Sequence, residues 1–144
     1  MLISIDETRD LNNGQPSLWA RLFDALDIAP GERVLQVGAG TGYYSAILAY
    51  LVGNVGRVIA VEHDRDLADK AKASLSGWPQ AEVIAGDGTA HDAGEVDVII
   101  VCGSHASSAS LAGSADRQWA TVASADRRKG SRYPSEGHAA RRDI

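Results

Sequence analysis

The segment from Arg33 to Ala46 constrains the fold more than any other part of the chain. It reads Arg-Val-Leu-Gln-Val-Gly-Ala-Gly-Thr-Gly-Tyr-Tyr-Ser-Ala. The apolar run suits a buried parallel strand, the glycines predict a tight bend, and the residues from Tyr43 to Val52 predict a helix. Such a bend places free backbone N–H groups and the positive end of a helix dipole beside the strand's carboxyl end. The segment therefore predicts a ligand site in an α/β fold.

The glycine spacing narrows the kind of ligand. A dinucleotide fingerprint requires Gly-x-Gly-x-x-Gly, whereas this chain has Gly-x-Gly-x-Gly, with Tyr43 at the position of the third glycine. A bend that only packs a helix on a strand is the alternative. The spacing resembles the first motif of class I S-adenosylmethionine-dependent methyltransferases, which implies a loop around the amino acid part of that cofactor. By that resemblance the cofactor-binding residues of the loop are Gln36, Gly38, Ala39, Gly40, Gly42 and Tyr43.

Composition excludes several classes of protein. A formal charge of −5 argues against general nucleic-acid binding through a basic surface. The single cysteine, Cys102, excludes an internal disulfide framework and fits a reducing cytoplasm. The first residues do not form a signal peptide, and no stretch approaches the roughly 20 apolar residues of a membrane span. We therefore expect a cytoplasmic protein that binds neither nucleic acid nor membrane.

Apolar patterns predict the order of elements around the bend. An amphipathic helix begins at Pro16, and the helix after the bend is apolar nearly all round, so we expect it to be well covered. A later helix begins at Asp64 or Asp66. Together the elements predict a doubly wound, mostly parallel, Rossmann-like α/β sheet of about four strands in the order 3-2-1-4. After the first strand, the predicted strands are Arg57–Val61, Glu82–Ala85 and Val96–Val101.

Acidic residues follow two of these strands at the edge where the bend lies. Glu62 comes some 20 residues after Gly42, where an acid can accept hydrogen bonds from ribose hydroxyls. Asp87 follows the third strand, where it can accept a hydrogen bond from an adenine amino group, and Gly88 leaves room for the ring. A solvated loop residue or a helix cap is the alternative for each acid. The predicted cofactor site is completed by Glu62, His63, Asp87 and Gly88.

Longer phrases resemble one family of these enzymes, the protein-L-isoaspartate O-methyltransferases. The phrase Ala-Gly-Asp-Gly-Thr at residues 85–89 is especially similar, and Gln15-Pro16 matches the family's Gln-Pro before its first helix. The resemblance implies S-adenosylmethionine as cofactor and a protein or peptide substrate with an isoaspartyl carboxylate. It extends over residues 12–102, and its four motifs are Val34–Ala46, Val58–Glu62, Val83–Gly88 and Val96–Val101.

Two positions depart from the family pattern. Members usually carry Thr-Ile-Ser before Gln-Pro, with the serine at the acceptor site, whereas this chain has Asn12-Asn13-Gly14. The first motif usually has an acid where this chain has Gln36, which can accept a hydrogen bond from the cofactor's amino group but carries no charge. We name no catalytic residue, because an ionised carboxylate needs no general base. No metal site is predicted, since the spacing of the four histidines fits none: His63, His91, His105 and His138.

The composition changes after Cys102. Seven of the 14 Lys and Arg but only four of the 19 acids lie in residues 103–144, which gives that part a net charge of +3 and the part before it −8. We predict a partial cofactor-binding domain over residues 1–102 and an irregular basic tail over 103–144, without the remaining strands of the fold. A shifted reading frame at the Cys102 codon is our hypothesis for the change, and the coding DNA tests it.

Missing strands would leave the fourth strand with an uncovered edge, which predicts self-association. Two functions compete with an active isoaspartyl methyltransferase. One is a non-catalytic S-adenosylmethionine-binding fragment. The other is a nicotinamide-dependent oxidoreductase, which Tyr43 disfavours.

Overall fold

A computed structural model describes residues 4–9, 11–12, 14–102 and 120–124 of the chain, the last of these as backbone. Within those ranges a sheet carries helices over one face, and a small two-stranded ribbon with a 3₁₀ turn at Glu7–Arg9 precedes it. The helices are α1 (Pro16–Leu26), α2 (Tyr43–Val52) and α3 (Arg65–Ser74). The strands are β1 (Ser4–Asp6), β2 (Leu11–Asn12), β3 (Arg33–Val37), β4 (Arg57–Glu62), β5 (Ala81–Ala85), β6 (Val98–Cys102) and β7 (Ala120–Ser124).

The main sheet has the order β5-β4-β3-β6-β7. Its four parallel strands confirm the predicted order 3-2-1-4 and the doubly wound α/β class. Val37 lies opposite Val61 on one side and Val101 on the other, so three strands end at the same level. Residues that follow those ends therefore meet at one edge of the sheet.

Strand β6 begins two residues later than predicted. Asp97 exchanges two hydrogen bonds with Arg33: its backbone N–H donates to the Arg33 carbonyl at 2.8 Å, and its carboxylate accepts the Arg33 N–H at 2.8 Å. These bonds fix where β6 starts to pair with β3. The two Asp97–Arg33 hydrogen bonds thus align β3 with β6 at the end of the strands that lies opposite the site edge.

Successive side chains of each strand point to opposite faces of the sheet, and each face carries its own apolar cluster. One lies beneath α1 and α2, where Trp19 stacks on Tyr44 with ring centroids 4.4 Å apart. Its buried strand residues are Val34, Val58, Val98 and Ile100. The other face is covered by the segment between β5 and β6 and is built on Leu35, Val37, Ile59 and Val61. Burial of both faces explains why β4 is apolar from Val58 to Val61 and why Gln36 is the single polar residue among the buried positions of β3.

The prediction that α2 is well covered is wrong for its outer face. Tyr50 is 73% exposed and Tyr43 is 49% exposed, whereas Leu48, Ala49 and Val52 are fully buried. The helix packs on the sheet through one side only, and its other side carries tyrosines in place of charged residues. Because apolar residues occur all round α2, the sequence pattern did not indicate which face is exposed.

Strand β7 corrects the expectation of a tail without strands. It pairs antiparallel with β6, from Ser124 opposite Val98 to Ala120 opposite Cys102. The prediction that the fourth strand, β6, has an uncovered edge is thus wrong, because β7 forms backbone hydrogen bonds with that edge. Ala-Thr-Val-Ala-Ser contains a single bulky apolar residue, which is too weak a pattern to predict a strand. Self-association stays a prediction, and the rest of the tail, with the reading-frame hypothesis and its two histidines, lies outside the described residues.

Candidate functional site

The bend after β3 is built from three glycines in the left-handed region. The φ angles of Gly38, Gly40 and Gly42 are +85°, +58° and +85°. A Cβ atom on Gly38 would lie 2.1 Å from the carbonyl oxygen of Cys102, and one on Gly42 would lie 3.2 Å from Cα of Ala71. The bend is therefore held between the end of β6 and helix α3, where only glycine meets both the angle and the space.

The carboxylate of Glu62 lies against this bend. Its Oε2 accepts a hydrogen bond from the backbone N–H of Gly40 at 2.7 Å, and its Oε1 accepts one from the N–H of Asp64 at 3.0 Å. Glu62 is 8% exposed. Each oxygen retains a lone pair for a further donor, so the carboxylate can hold the bend and still accept from a ligand.

Asp64 itself caps helix α3. Its Oδ1 accepts from the N–H groups of Asp66 at 2.9 Å and Leu67 at 3.1 Å. This N-cap fixes the turn that presents the Asp64 N–H to Glu62. The predicted start of the helix is confirmed, with Asp64 as the cap residue.

Asp87 and Gly88 reach the same edge from β5. The N–H of Gly86 donates to the Glu62 carbonyl at 2.9 Å, and a Cβ on Gly88 would lie 2.5 Å from Cγ1 of Val37. Gly88 thus contacts the residue immediately before the bend. The exposed Asp87 carboxylate accepts from the N–H of Thr89 at 2.8 Å and from its hydroxyl at 2.7 Å, which shapes the turn.

Gln36 lies beneath the bend and is 1% exposed. Its Oε1 accepts from the Ser45 hydroxyl at 2.7 Å, and its Nε2 donates to Sγ of Cys102 at 3.5 Å. Sequence reasoning did not identify Ser45 or the contact with Cys102. A polar residue within an otherwise apolar strand was the one available signal, because such a side chain needs buried partners.

The remaining predicted residues lie around the bend. Ala39 is buried, and its N–H donates to the Val61 carbonyl at 3.2 Å. Tyr43 is on the outer side of α2, and the exposed His63 follows Glu62. No group of three or more His, Cys, Asp and Glu residues that could hold a metal occurs in the described ranges. Cofactor binding by the predicted residues, whose positions are now defined, stays a prediction.

A groove of about 480 Å³ runs along the outer side of α2. It shares Thr41, Gly42 and Tyr43 with the bend, but neither Glu62 nor the turn after β5 lines it. The site formed by the strand ends is therefore a different surface.

Cys102 should react slowly with thiol reagents in the native chain. Burial raises the pKa of its thiol to about 12; the hydrogen bond from Gln36 lowers that pKa and the charge of Glu62 raises it. The thiolate fraction at pH 8 falls about 1000-fold, while the intrinsic nucleophilicity of the thiolate rises about 30-fold. We expect alkylation at pH 8 to be at least about 30-fold slower than in urea-unfolded chain. Equal rates in the two states would contradict this prediction.

Tyr44→Phe should stabilise the chain. The Tyr44 hydroxyl is buried and has no hydrogen-bond partner within the described residues. Phenylalanine keeps the ring contacts and removes the unsatisfied group, so we expect a gain of about 1 kcal/mol in the free energy of unfolding by urea. Tyr50→Phe, on the exposed face of α2, is the control and should stay within about 0.5 kcal/mol of wild type. A loss of stability in Tyr44→Phe would mean that the hydroxyl has a partner.

Comparison with known proteins now adds to this geometry. The sequence model of the family described as protein-L-isoaspartate(D-aspartate) O-methyltransferase matches residues 3–107. The chain belongs to this family. A relative named protein-L-isoaspartate O-methyltransferase from Methanococcus aeolicus is 37% identical over 59% of the chain and 42% of its own length. One of the same name from Aeropyrum pernix is 44% identical over 58% of the chain and 35% of its own length.

Two solved structures share the fold of this chain. A structure titled protein-L-isoaspartate O-methyltransferase is 31% identical, with a TM-score of 0.63 over 70% of the chain and 33% of its own length. A mutant of MtNAS in complex with S-adenosylmethionine is 27% identical, with a TM-score of 0.52 over 60% of the chain and 34% of its own length. The chain thus spans 33–42% of the length of the three proteins named protein-L-isoaspartate O-methyltransferase that it matches here. In the described ranges, no helix has the length and apolar character to cross a membrane.

Proposed function

We propose that the chain carries the S-adenosylmethionine-binding part of a protein-L-isoaspartate O-methyltransferase, which methylates isoaspartyl carboxylates of protein substrates. The observation that supports this most is the 2.7 Å hydrogen bond between Glu62 Oε2 and the Gly40 N–H. It joins the acid at the end of β4 to the glycine bend after β3, in a chain of this family. A cytoplasmic location belongs to the same proposal.

The residues at the edge fit such a cofactor. The glycine bend offers a surface without Cβ atoms, and side chains at Gly38 would fill the space beside Cys102. Glu62 would accept from the ribose hydroxyls through its remaining lone pairs. Asp87, exposed at the end of β5, would receive the adenine amino group beside Gly88. Bound there, the cofactor supplies an activated methyl group on its sulfonium.

The chain's residues would act by binding, orientation and exclusion of water. An isoaspartyl carboxylate is ionised near pH 7, so no side chain has to remove a proton. Alignment of the carboxylate oxygen with the methyl carbon can supply much of the rate increase. Rigid placement of the bend by Glu62 is this chain's contribution to that alignment.

A second function, cofactor binding without catalysis, is favoured by one observation. Family members usually carry Thr-Ile-Ser before Gln-Pro, with the serine at the acceptor site, whereas this chain has Asn12-Asn13-Gly14.

Calorimetry with S-adenosylhomocysteine, followed by a methyl-transfer assay on an isoaspartyl peptide, tests both functions. Binding with transfer supports the enzyme, and binding without transfer supports the second function. Absence of S-adenosylhomocysteine binding would overturn both. NADH is the control ligand, because Tyr43 occupies the third glycine position of a dinucleotide fingerprint; NADH binding would favour the oxidoreductase.

A further inference from the structure

The amide of Gln36 connects three elements beneath the glycine bend. Gln36 lies on β3, Ser45 is in the first turn of α2, and Cys102 ends β6. The amide oxygen accepts from Ser45 at 2.7 Å, and the amide nitrogen donates to Cys102 at 3.5 Å. Gln36 and Ser45 flank the bend in the chain, and the backbone of Cys102 is in contact with the Gly38 position. The three contacts therefore surround the bend on its buried side.

A neutral amide suits this position better than an acid. The Ser45 hydroxyl needs an acceptor and the Cys102 sulfur receives a donor, and one amide supplies both. The two groups that the amide contacts, the Ser45 hydroxyl and the Cys102 thiol, carry no positive charge, and the charge near that thiol is the negative one of Glu62 on β4. A carboxylate at 1% exposure would therefore have no compensating charge in these contacts.

We propose that Gln36 is a positioning residue that ties the first turn of α2 and the end of β6 to β3, and so holds the bend ready for its ligand. It acts through Ser45 and Cys102, in place of the direct contact to the cofactor's amino group that the family resemblance implies. The ligand named here rests on the proposed function. Preorganisation of the bend lowers the ordering cost of binding, which is how a buried amide can affect affinity.

Three variants on three elements test the proposal: Gln36→Leu, Ser45→Ala and Cys102→Ala. Each should weaken S-adenosylhomocysteine binding in calorimetry by about 5-fold to 10-fold, the scale of one buried hydrogen bond. The double variant Gln36→Leu with Ser45→Ala should lose no more affinity than Gln36→Leu alone. Both substitutions remove the same hydrogen bond, the one between Gln36 and Ser45. If Ser45→Ala leaves affinity unchanged while Gln36→Leu lowers it, Gln36 contacts the ligand directly and the proposal is overturned.

Infrared spectroscopy reads the same contact without any ligand. Cys102 is the single cysteine of the chain, so its S–H stretching band is unambiguous. Gln36→Leu should shift this band, and Ser45→Ala should shift it less; an unchanged band in Gln36→Leu would overturn the proposal. If wild type does not bind S-adenosylhomocysteine but the band shifts, the proposed function fails while the buried contact stands.

Gln36→Glu adds a pH profile of stability that tests, without any ligand, the burial on which the proposal rests. Burial would raise the pKa of the new carboxyl above its unfolded value, so its cost to stability is absent at low pH and grows as the pH rises. We expect the urea midpoint to fall between about pH 5 and pH 8 relative to wild type. Gln15→Glu, at the exposed N-cap of α1, is the control and should show no such fall. Parallel profiles for both variants would overturn the proposal.

Discussion

Gly38→Ala should destabilise the chain by about 4 kcal/mol or more, a large part of the stability of an ordinary domain. The left-handed φ of +85° costs an alanine about 1–2 kcal/mol. The new Cβ would also lie 2.1 Å from the Cys102 carbonyl oxygen and 3.0 Å from its carbonyl carbon. Both are backbone atoms, so only separation of β3 from β6 would relieve the clash. We expect loss of a cooperative urea transition measured by circular dichroism.

Gly94→Ala is the matched control for Gly38→Ala. Gly94 has a φ of +67°, and nothing lies within 4 Å of a Cβ built there. It therefore tests the cost of the backbone angle without the clash, and we expect a loss of about 1–2 kcal/mol with a cooperative transition retained. Equal losses of stability in the two variants would mean that the Cys102 carbonyl group does not restrict the space beside Gly38.

Local patterns fixed the elements around the bend well. Helix α2 runs from Tyr43 to Val52 as predicted. The glycines end the apolar run of the strand, and the apolar residues of the helix begin directly after the last glycine. Glu62 could be placed beside the bend from topology alone, since parallel strands end at one edge. What topology did not supply is that the carboxylate binds the Gly40 N–H, because that depends on the conformation of the bend.

Contacts between distant parts of the chain could not be read from patterns. Gln36 and Cys102 are 66 residues apart, and they meet only because β3 and β6 pair in one register. Strand β7 has too few apolar residues to show a period, and its pairing with β6 is set by backbone hydrogen bonds. The exposed face of α2 escaped prediction because tyrosine serves both surface and core.

Glu62→Gln should loosen the bend and weaken ligand binding together. Glutamine can offer its oxygen to Gly40 or to Asp64, but its NH₂ group would then face the other N–H at about 3 Å, donor against donor. Hydrogen bonds to a charged group contribute about 1.5–3 kcal/mol each, so we expect a loss of about 2 kcal/mol in stability. Under the proposed function, the Kd for S-adenosylhomocysteine should rise about 30-fold, which corresponds to about 2 kcal/mol.

Amide hydrogen exchange at Gly40 separates these two effects of Glu62→Gln. Exchange should accelerate in this variant and stay at the wild-type rate in Asp69→Asn, which changes an acid that is 77% exposed on α3. Unchanged exchange at Gly40 would contradict the hydrogen bond itself. Faster exchange with unaltered S-adenosylhomocysteine affinity would leave Glu62 a structural role and remove the main support for the proposed function. Loss of both, in step, is the result that ties the geometry of the bend to methyl-donor binding.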